Sequence, residues 1–239
     1  MSNNRVIFVS LGPGDPELIT LKGFKQLQNA DVILCPSTLN REGREVSKSE
    51  DIVASLGIDI CKVRRFVVPM SRDREDTLRA YRAVADRAIE YLQSGESVAI
   101  TAEGDAGFYS SSQYINEYIQ SKGVATDRIS GVPAFIDCAR LAETPLVSGD
   151  NSVEVVAYVE SVESLREKMS EPKSIVLMKI SQREAVIKEA IRGAAESHEF
   201  VYVESCGVVG KEFLLNDLEQ ILERKFPYFA IIIIKRRNE

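Results

Sequence analysis

One histidine, His198, stands among 239 residues. That scarcity leaves no Ser-His-Asp triad and no histidine-rich metal site to be read from the chain. His198 sits in Glu196-Ser-His-Glu199, a polar turn ahead of a strand, and is expected at the surface. The four cysteines, at 35, 61, 138 and 206, have no paired spacing, so neither a zinc cluster nor a disulfide framework is suggested. Cys35, Cys61 and Cys138 lie in or beside apolar runs and are expected as buried, reduced thiols, which suits a cytoplasmic protein. There is no H-E-x-x-H, no C-x-x-C and no G-K-[ST] phosphate loop. Hydrolysis by an activated side-chain nucleophile is therefore not expected, and neither is a bound metal. Residues 1 to 5 are polar and the apolar run behind them is too short for a signal peptide. The longest apolar stretch, Phe229 to Ile234, is too short to cross a bilayer. Lys and Arg number 30 against 36 Asp and Glu, a net charge of −6, which argues against general nucleic-acid binding.

Apolar and charged residues are balanced as in an ordinary globular protein, and the chain is long enough for one large core or two small ones. Short apolar strands alternate with helical patterns, which reads as α/β with a largely parallel sheet. Strands are predicted at Val6–Ser10, Asp31–Cys35, Arg64–Val68, Ser97–Thr101 and Asp127–Ile129. The clearest helix runs from Glu75 to Gln93, with Leu78, Tyr81, Ala85, Ala88 and Leu92 at three- and four-residue spacing. Tyr109–Gln120 and Pro133–Leu141 are two further helices. Turn formers gather in Thr144–Asn151, the expected hinge between a first domain, residues 1–146, and a second, 147–239. The second domain reads strand Val153–Tyr158, helix Val162–Met169, strand Ser174–Met178, helix Gln182–Ala195 and strand Phe200–Val203. Helix Leu215–Arg224 and strand Tyr228–Ile234 complete it. The last strand is apolar on both faces and is expected inside its sheet. Two α/β domains with a cleft between them is the architecture implied.

Three strand-to-helix loops carry the candidate ligand chemistry. In the first, Val6–Val9 runs into Gly12-Pro13-Gly14-Asp15-Pro16. Glycines admit a ligand close to backbone, and the helix start behind them offers unpaired N–H groups. Pro16 stands near where a dinucleotide loop needs its third glycine, and two prolines remove two donors. A bulky ligand fits this loop better than a chelated triphosphate; the plainer reading is an ordinary turn. The second loop, Glu103-Gly104-Asp105-Ala106-Gly107, repeats the arrangement. Asp105 suits a ribose or amino-acid acceptor, or else a turn aspartate. The third is Ser130-Gly131-Val132-Pro133-Ala134. Basic residues Arg41, Arg44, Lys48, Lys62, Arg64, Arg65, Arg72 and Arg74 gather in one stretch, interleaved with six carboxylates, Glu42, Glu45, Glu50, Asp59, Asp73 and Glu75. They read either as a site for substrate carboxylates, with Arg64 and Arg72 the candidates, or as a solvated mixed-charge surface.

Gly12-Pro-Gly-Asp-Pro-Glu-Leu-x-Thr-Leu-Lys22 resembles the tetrapyrrole methylases, which use S-adenosylmethionine to methylate cobalamin and sirohaem precursors. Val68-Pro-Met-Ser-Arg-Asp73, Gly104-Asp-Ala-Gly-Phe-Tyr-Ser110, Val176-Leu-Met-Lys179 and Pro227-Tyr-Phe229 are similar to the branch acting at carbon 20 of precorrin-2 or cobalt-precorrin-2. The resemblance spans nearly the whole chain in order. It implies a homodimeric methyltransferase with S-adenosylmethionine held by Gly12, Pro13, Gly14, Gly104, Asp105, Ala106, Tyr109, Pro133, Ala134, Met178 and Ser205. Met178, by residue type alone, reads as core. Methyl transfer to an electron-rich meso carbon needs positioning above all, so no catalytic side chain is assigned. The chain departs from the family pattern at Cys206, where threonine is more usual, and in four places at the three loops. Ser10 replaces a common glycine, Ala106 the usual proline of G-D-P, and Ser130 and Pro133 replace residues of P-G-V-[ST]-[SA]. Two further readings stay open: a methyltransferase for another tetrapyrrole, such as uroporphyrinogen III or a later precorrin, and, motivated by these departures, a non-catalytic tetrapyrrole- or cofactor-binding protein.

Overall fold

The computed structural model describes residues 5–40, 42–68, 74–208 and 210–237. They divide into two compact units, Met1–Pro133 and Ala134–Glu239. The division places helix 134–141, read above with the first domain, in the second unit.

The first unit is a sheet between two helical layers. Its strands are β1 (Arg5–Ser10), β2 (Val32–Leu39), β3 (Glu45–Val46), β4 (Val63–Val67), β5 (Val98–Ala102) and β6 (Ala125–Ile129). Its helices are α1 (Leu21–Asn29), α2 (Lys48–Ser55), α3 (Arg74–Gln93) and α4 (Ser112–Ser121). The order is β3-β2-β5-β1-β6, with β4 on β2, and all pairings are parallel except β2 with β3. Alternation along β1 sorts the two faces. Val6 and Phe8 join Val32, Leu34 and Ile100 beneath Tyr81, Ala85 and Ala88 of α3 and Ile115 and Ile119 of α4. Ile7 and Val9 join Ile33, Cys35 and Ala99 beneath Leu27 of α1 and Ile52 and Val53 of α2. Central parallel strands are thus apolar on both sides, and their carboxyl ends open onto loops.

In the second unit the helices are α5 (Ala134–Leu141), α6 (Val162–Ser170), α7 (Glu184–Ile191) and α8 (Leu218–Glu223). The strands are β7 (Ser152–Val156), β8 (Lys173–Leu177), β9 (His198–Glu204), β10 (Phe213–Leu215) and β11 (Ala230–Arg236). The order is β10-β9-β11-β8-β7. β11 lies at the centre, as its two apolar faces require. It runs antiparallel to both neighbours, and only β7 with β8 is parallel. The expectation of a largely parallel sheet therefore holds for the first unit alone. The second turns back through the β9–β10 hairpin, and β11 returns on the other side of β9, antiparallel to it as β10 is.

Other departures have local causes. Tyr109 has φ 49°, outside any right-handed helix, so α4 starts at Ser112 rather than at Tyr109. β10 occupies the start of the region read as helix, and α8 begins after Asp217, whose side chain accepts from the Gln220 amide at 2.9 Å. α2 was not anticipated, although Ser47-x-x-Glu50 is a helix-start pattern and Ser47 Oγ accepts from the Glu50 amide at 3.1 Å. Cys35, Cys138 and Cys206 are buried, but Cys61 is exposed in the turn before β4. His198 begins β9 partly buried, Nε2 against the Met169 carbonyl at 2.9 Å and Nδ1 against Ser197 Oγ at 2.8 Å. No helix among the described residues is long and apolar enough to cross a membrane.

Candidate active site

At the carboxyl edge of the first sheet, three loops are joined by hydrogen bonds. The Gly12 amide donates to the Gly104 carbonyl at 3.1 Å and the Gly104 amide returns to Gly12 at 2.7 Å, an isolated antiparallel bridge. It extends β1 and β5 past their ends and locks the first loop to the second. Gly12 has φ 82°, and a Cβ there would stand 3.2 Å from the Leu18 carbonyl oxygen. Conformation and space both require glycine.

Asp105 joins the second loop to the third. Its Oδ1 accepts from the Gly107 amide and its Oδ2 from the Gly131 amide, both at 2.7 Å. The turn-aspartate reading is thereby realised, with an added link across 26 residues; an ionised carboxylate keeps lone pairs for a further donor. Gly131 lies so close to β1 that a Cβ would sit 2.5 Å from that of Ser10.

Ser10 is fully buried, and its Oγ accepts from the Ala106 amide at 2.8 Å. Two of the departures from the family pattern meet in this bond. A proline at 106 has no N–H to satisfy, whereas alanine presents a buried donor, and the Ser10 hydroxyl answers it. The Ala106 carbonyl accepts from Ser112 Oγ at 3.3 Å. Ala106 is itself buried in the core, so both its main-chain groups are engaged inside the protein. Pro13 is buried with Gly12, while Gly14, Gly104, Asp105, Pro133 and Ala134 are partly exposed. Half of the Tyr109 side chain is exposed, at a positive φ that a bulky residue adopts only under constraint.

The second unit gathers Met178 and Ser205 at one edge of its own sheet. β8 and β9 run the same way on either side of β11, so Met178 and Ser205 follow strand ends at the same edge of the sheet. Met178 is partly buried, its amide bonded to the Val156 carbonyl at 2.9 Å. Ser205 has φ 51°, and its amide donates to the Phe229 carbonyl at 2.9 Å, bringing in Pro227-Tyr-Phe229. Behind Ser205, Glu204 receives Arg224 Nε at 2.6 Å on Oε1, Arg224 Nη2 at 3.0 Å on Oε2, and the Tyr202 hydroxyl at 2.5 Å. Burial pushes the Glu204 carboxyl up, but these hydrogen bonds outweigh it and hold the group below its ordinary value.

Cys206 Sγ donates to Asp137 Oδ2 at 3.1 Å, and its thiol is pushed far up by the neighbouring Cys138 thiol and by burial. Asp137, Cys206 and Glu212 bring ligand atoms within 4.8 Å of one another. The Arg140 guanidinium closes that group, Nε on Asp137 at 2.5 Å and Nη2 3.9 Å from Glu212.

Of the two substrate-binding candidates, Arg64 is not brought to these loops. Arg64 turns its guanidinium back onto the carbonyls of Cys61 at 2.7 Å and Val63 at 2.9 Å, at the start of β4 and so toward the amino edge of the sheet. Arg72 lies outside the described residues, with the rest of 69–73.

The family model for tetrapyrrole (corrin/porphyrin) methylases matches residues 5–222. A precorrin-2 C(20)-methyltransferase from Sinorhizobium sp. is 26% identical over 234 residues, covering 96% of this chain and 94% of that protein. A cobalt-precorrin-2 C(20)-methyltransferase from Salmonella typhimurium is 25% identical over 237 residues, covering 99% and 98%. Among solved structures, a uroporphyrin-III C-methyltransferase from Thermus thermophilus complexed with S-adenosylhomocysteine superposes with a TM-score of 0.67. It is 21% identical and covers 97% of each chain, a likeness of fold.

Two expectations follow. Ser10→Ala should destabilise the protein by about 1–3 kcal/mol by stranding a buried donor. Ala106→Pro in the same background should recover about 1 kcal/mol or more of that loss, as a coupling in a double-mutant cycle. Chemical denaturation measures it, and strictly additive effects would contradict the pairing. Because the folded Glu204 carboxyl titrates below the unfolded one, its contribution is present above about pH 4.3 and is lost as pH falls further. Glu204→Gln should flatten that acid-side loss in thermal melts; an unchanged slope would contradict it.

Proposed function

The chain belongs to the tetrapyrrole (corrin/porphyrin) methylases, and from that premise we propose that it transfers the methyl group of S-adenosylmethionine to carbon 20 of cobalt-precorrin-2 or precorrin-2 in cobalamin biosynthesis. The observation that carries the acceptor is the span of the likeness: relatives named for the carbon-20 step match 96% and 99% of the chain. That span includes regions well outside the glycine loops.

The donor set fits the proposed cofactor. Gly12 and the buried Pro13 fix the loop's shape, Gly14 is partly exposed without side-chain bulk, Asp105 keeps lone pairs for a hydroxyl or ammonium donor, and the exposed Tyr109 ring offers an apolar face. Met178, Ser205, Pro133 and Ala134 complete the proposed set. When bound, the cofactor supplies a methyl already activated on a sulfonium. The residues' part is orientation, and positioning of this kind is worth roughly 7–11 kcal/mol. The bridged loops suit it because their geometry is fixed before any ligand arrives. Ala106, with both main-chain groups engaged, contributes shape. Arg64 has no place in this reading, since its guanidinium is held at the opposite edge.

A cytoplasmic homodimer is part of the proposal. Three buried free thiols support a reducing compartment. Exposed Leu39, Val46, Ile60 and Val67 of the first unit support association.

Anaerobic incubation with methyl-labelled S-adenosylmethionine and precorrin-2, with and without cobalt, tests the reading. One added methyl by mass spectrometry, placed at carbon 20 by NMR, is expected. A methyl at another carbon, or none despite cofactor binding, would contradict it in favour of another acceptor or a binding protein.

A further inference from the structure

Glu103 follows the last residue of β5, Ala102, and precedes Gly104, whose amide and carbonyl are clamped to Gly12. Its side chain lies on the side of the sheet that α2 covers, the side that Ala99 also faces. The contacts agree: Glu103 Oε1 accepts a long hydrogen bond, 3.5 Å, from Ser49 Oγ, and Ser49 is fully buried in the first turn of α2. A carboxyl therefore stands at the carboxyl edge of the sheet, at the root of the loop assigned to the cofactor.

The proposed reaction releases one proton. The π electrons of carbon 20 form the new carbon–carbon bond, and the departing C–S pair stays on sulfur. The macrocycle is left with one positive charge, which it sheds by losing the hydrogen on carbon 20. We propose that Glu103 accepts that proton on its carboxylate, as the catalytic base of the transfer. The assignment rests on the carbon-20 reading above.

The groups around Glu103 support the choice. From β2, the Cys35 thiol is pushed up to about 12 by burial and stays neutral. From α2, Glu50 is paired with Arg65, and Ser49 donates to Glu103 itself. Near the start of α2, Glu45 accepts from Ser37 Oγ at 2.5 Å. In the loop, both oxygens of Asp105 hold backbone amides. Burial raises the Glu103 carboxyl above the ordinary carboxylate range, against the opposing pull of the Lys48 charge and the Ser49 hydrogen bond. A raised carboxyl is the stronger base once ionised, and its rate contribution disappears as pH falls through that raised value.

Glu103→Gln keeps shape and the Ser49 contact while removing the base. The test compares it with the wild type and Glu103→Asp in single turnovers on acceptor carrying hydrogen or deuterium at carbon 20. For Glu103→Gln, kcat should fall about 10²–10⁴-fold, with acceptor KM and S-adenosylhomocysteine affinity within about twofold of wild type. The deuterium isotope effect should grow and the acid limb of the rate profile should vanish; Glu103→Asp should restore the limb and part of the rate. In the ligand-free protein, infrared titration should show one carboxyl above the ordinary range that Glu103→Gln removes. Full activity with an intact acid limb in Glu103→Gln, or loss of rate in step with cofactor affinity, would overturn the assignment. A wild type that fails to methylate carbon 20 is a failure of the underlying reading; an active wild type with a fully active Glu103→Gln is a failure of Glu103 alone.

Discussion

The site in the first unit depends on backbone amides at strand ends finding partners in neighbouring loops rather than in water. β1, β5 and β6 finish at the same edge of a parallel sheet, where the regular ladder stops and each loop is left with orphan donors. Here Gly12 and Gly104 satisfy each other, Ser10 takes the Ala106 amide, and Asp105 takes the amides of Gly107 and Gly131. The result is a preassembled surface of main chain rather than three independent turns. Preassembly is what a positioning enzyme requires, since ordering loops at the moment of binding would consume affinity.

This arrangement explains why a residue can depart from a family pattern without loss of the site. Serine in place of glycine at position 10 looks like an intrusion into a crowded corner, and alanine in place of proline at 106 like a loss of stiffness. Together they exchange a rigid residue without an N–H for a flexible one whose N–H is tied down. The requirement for glycine at 131 follows from the same corner, because the Ser10 side chain fills the space a Cβ would need.

Much of this was legible in the sequence. Strand periodicity located β1, β5 and β11, and the uninterrupted apolar run of the last strand gave its central place. The three glycine-containing loops were recognisable from turn chemistry alone. What remained hidden was non-local. Nothing near Asp105 in sequence indicates a partner at Gly131, and nothing in Arg64 shows that its guanidinium folds back on its own strand. α2 was masked by charge, since Lys48-Ser-Glu-Asp51 reads as a solvated mixed-charge stretch until Ser47 is seen as its cap. The antiparallel second sheet was hidden because a short strand, β10, continues into residues that look helical.

The central claim is that the three loops form one ordered unit before any ligand arrives. Residue-resolved hydrogen exchange of the ligand-free protein tests it most directly, at the amides of Gly12, Gly104, Ala106 and Gly131. The account predicts protection comparable to the core of β1 and β5, rising further when S-adenosylhomocysteine is added. Exchange at loop rates in the free protein, with protection appearing only on binding, would contradict it.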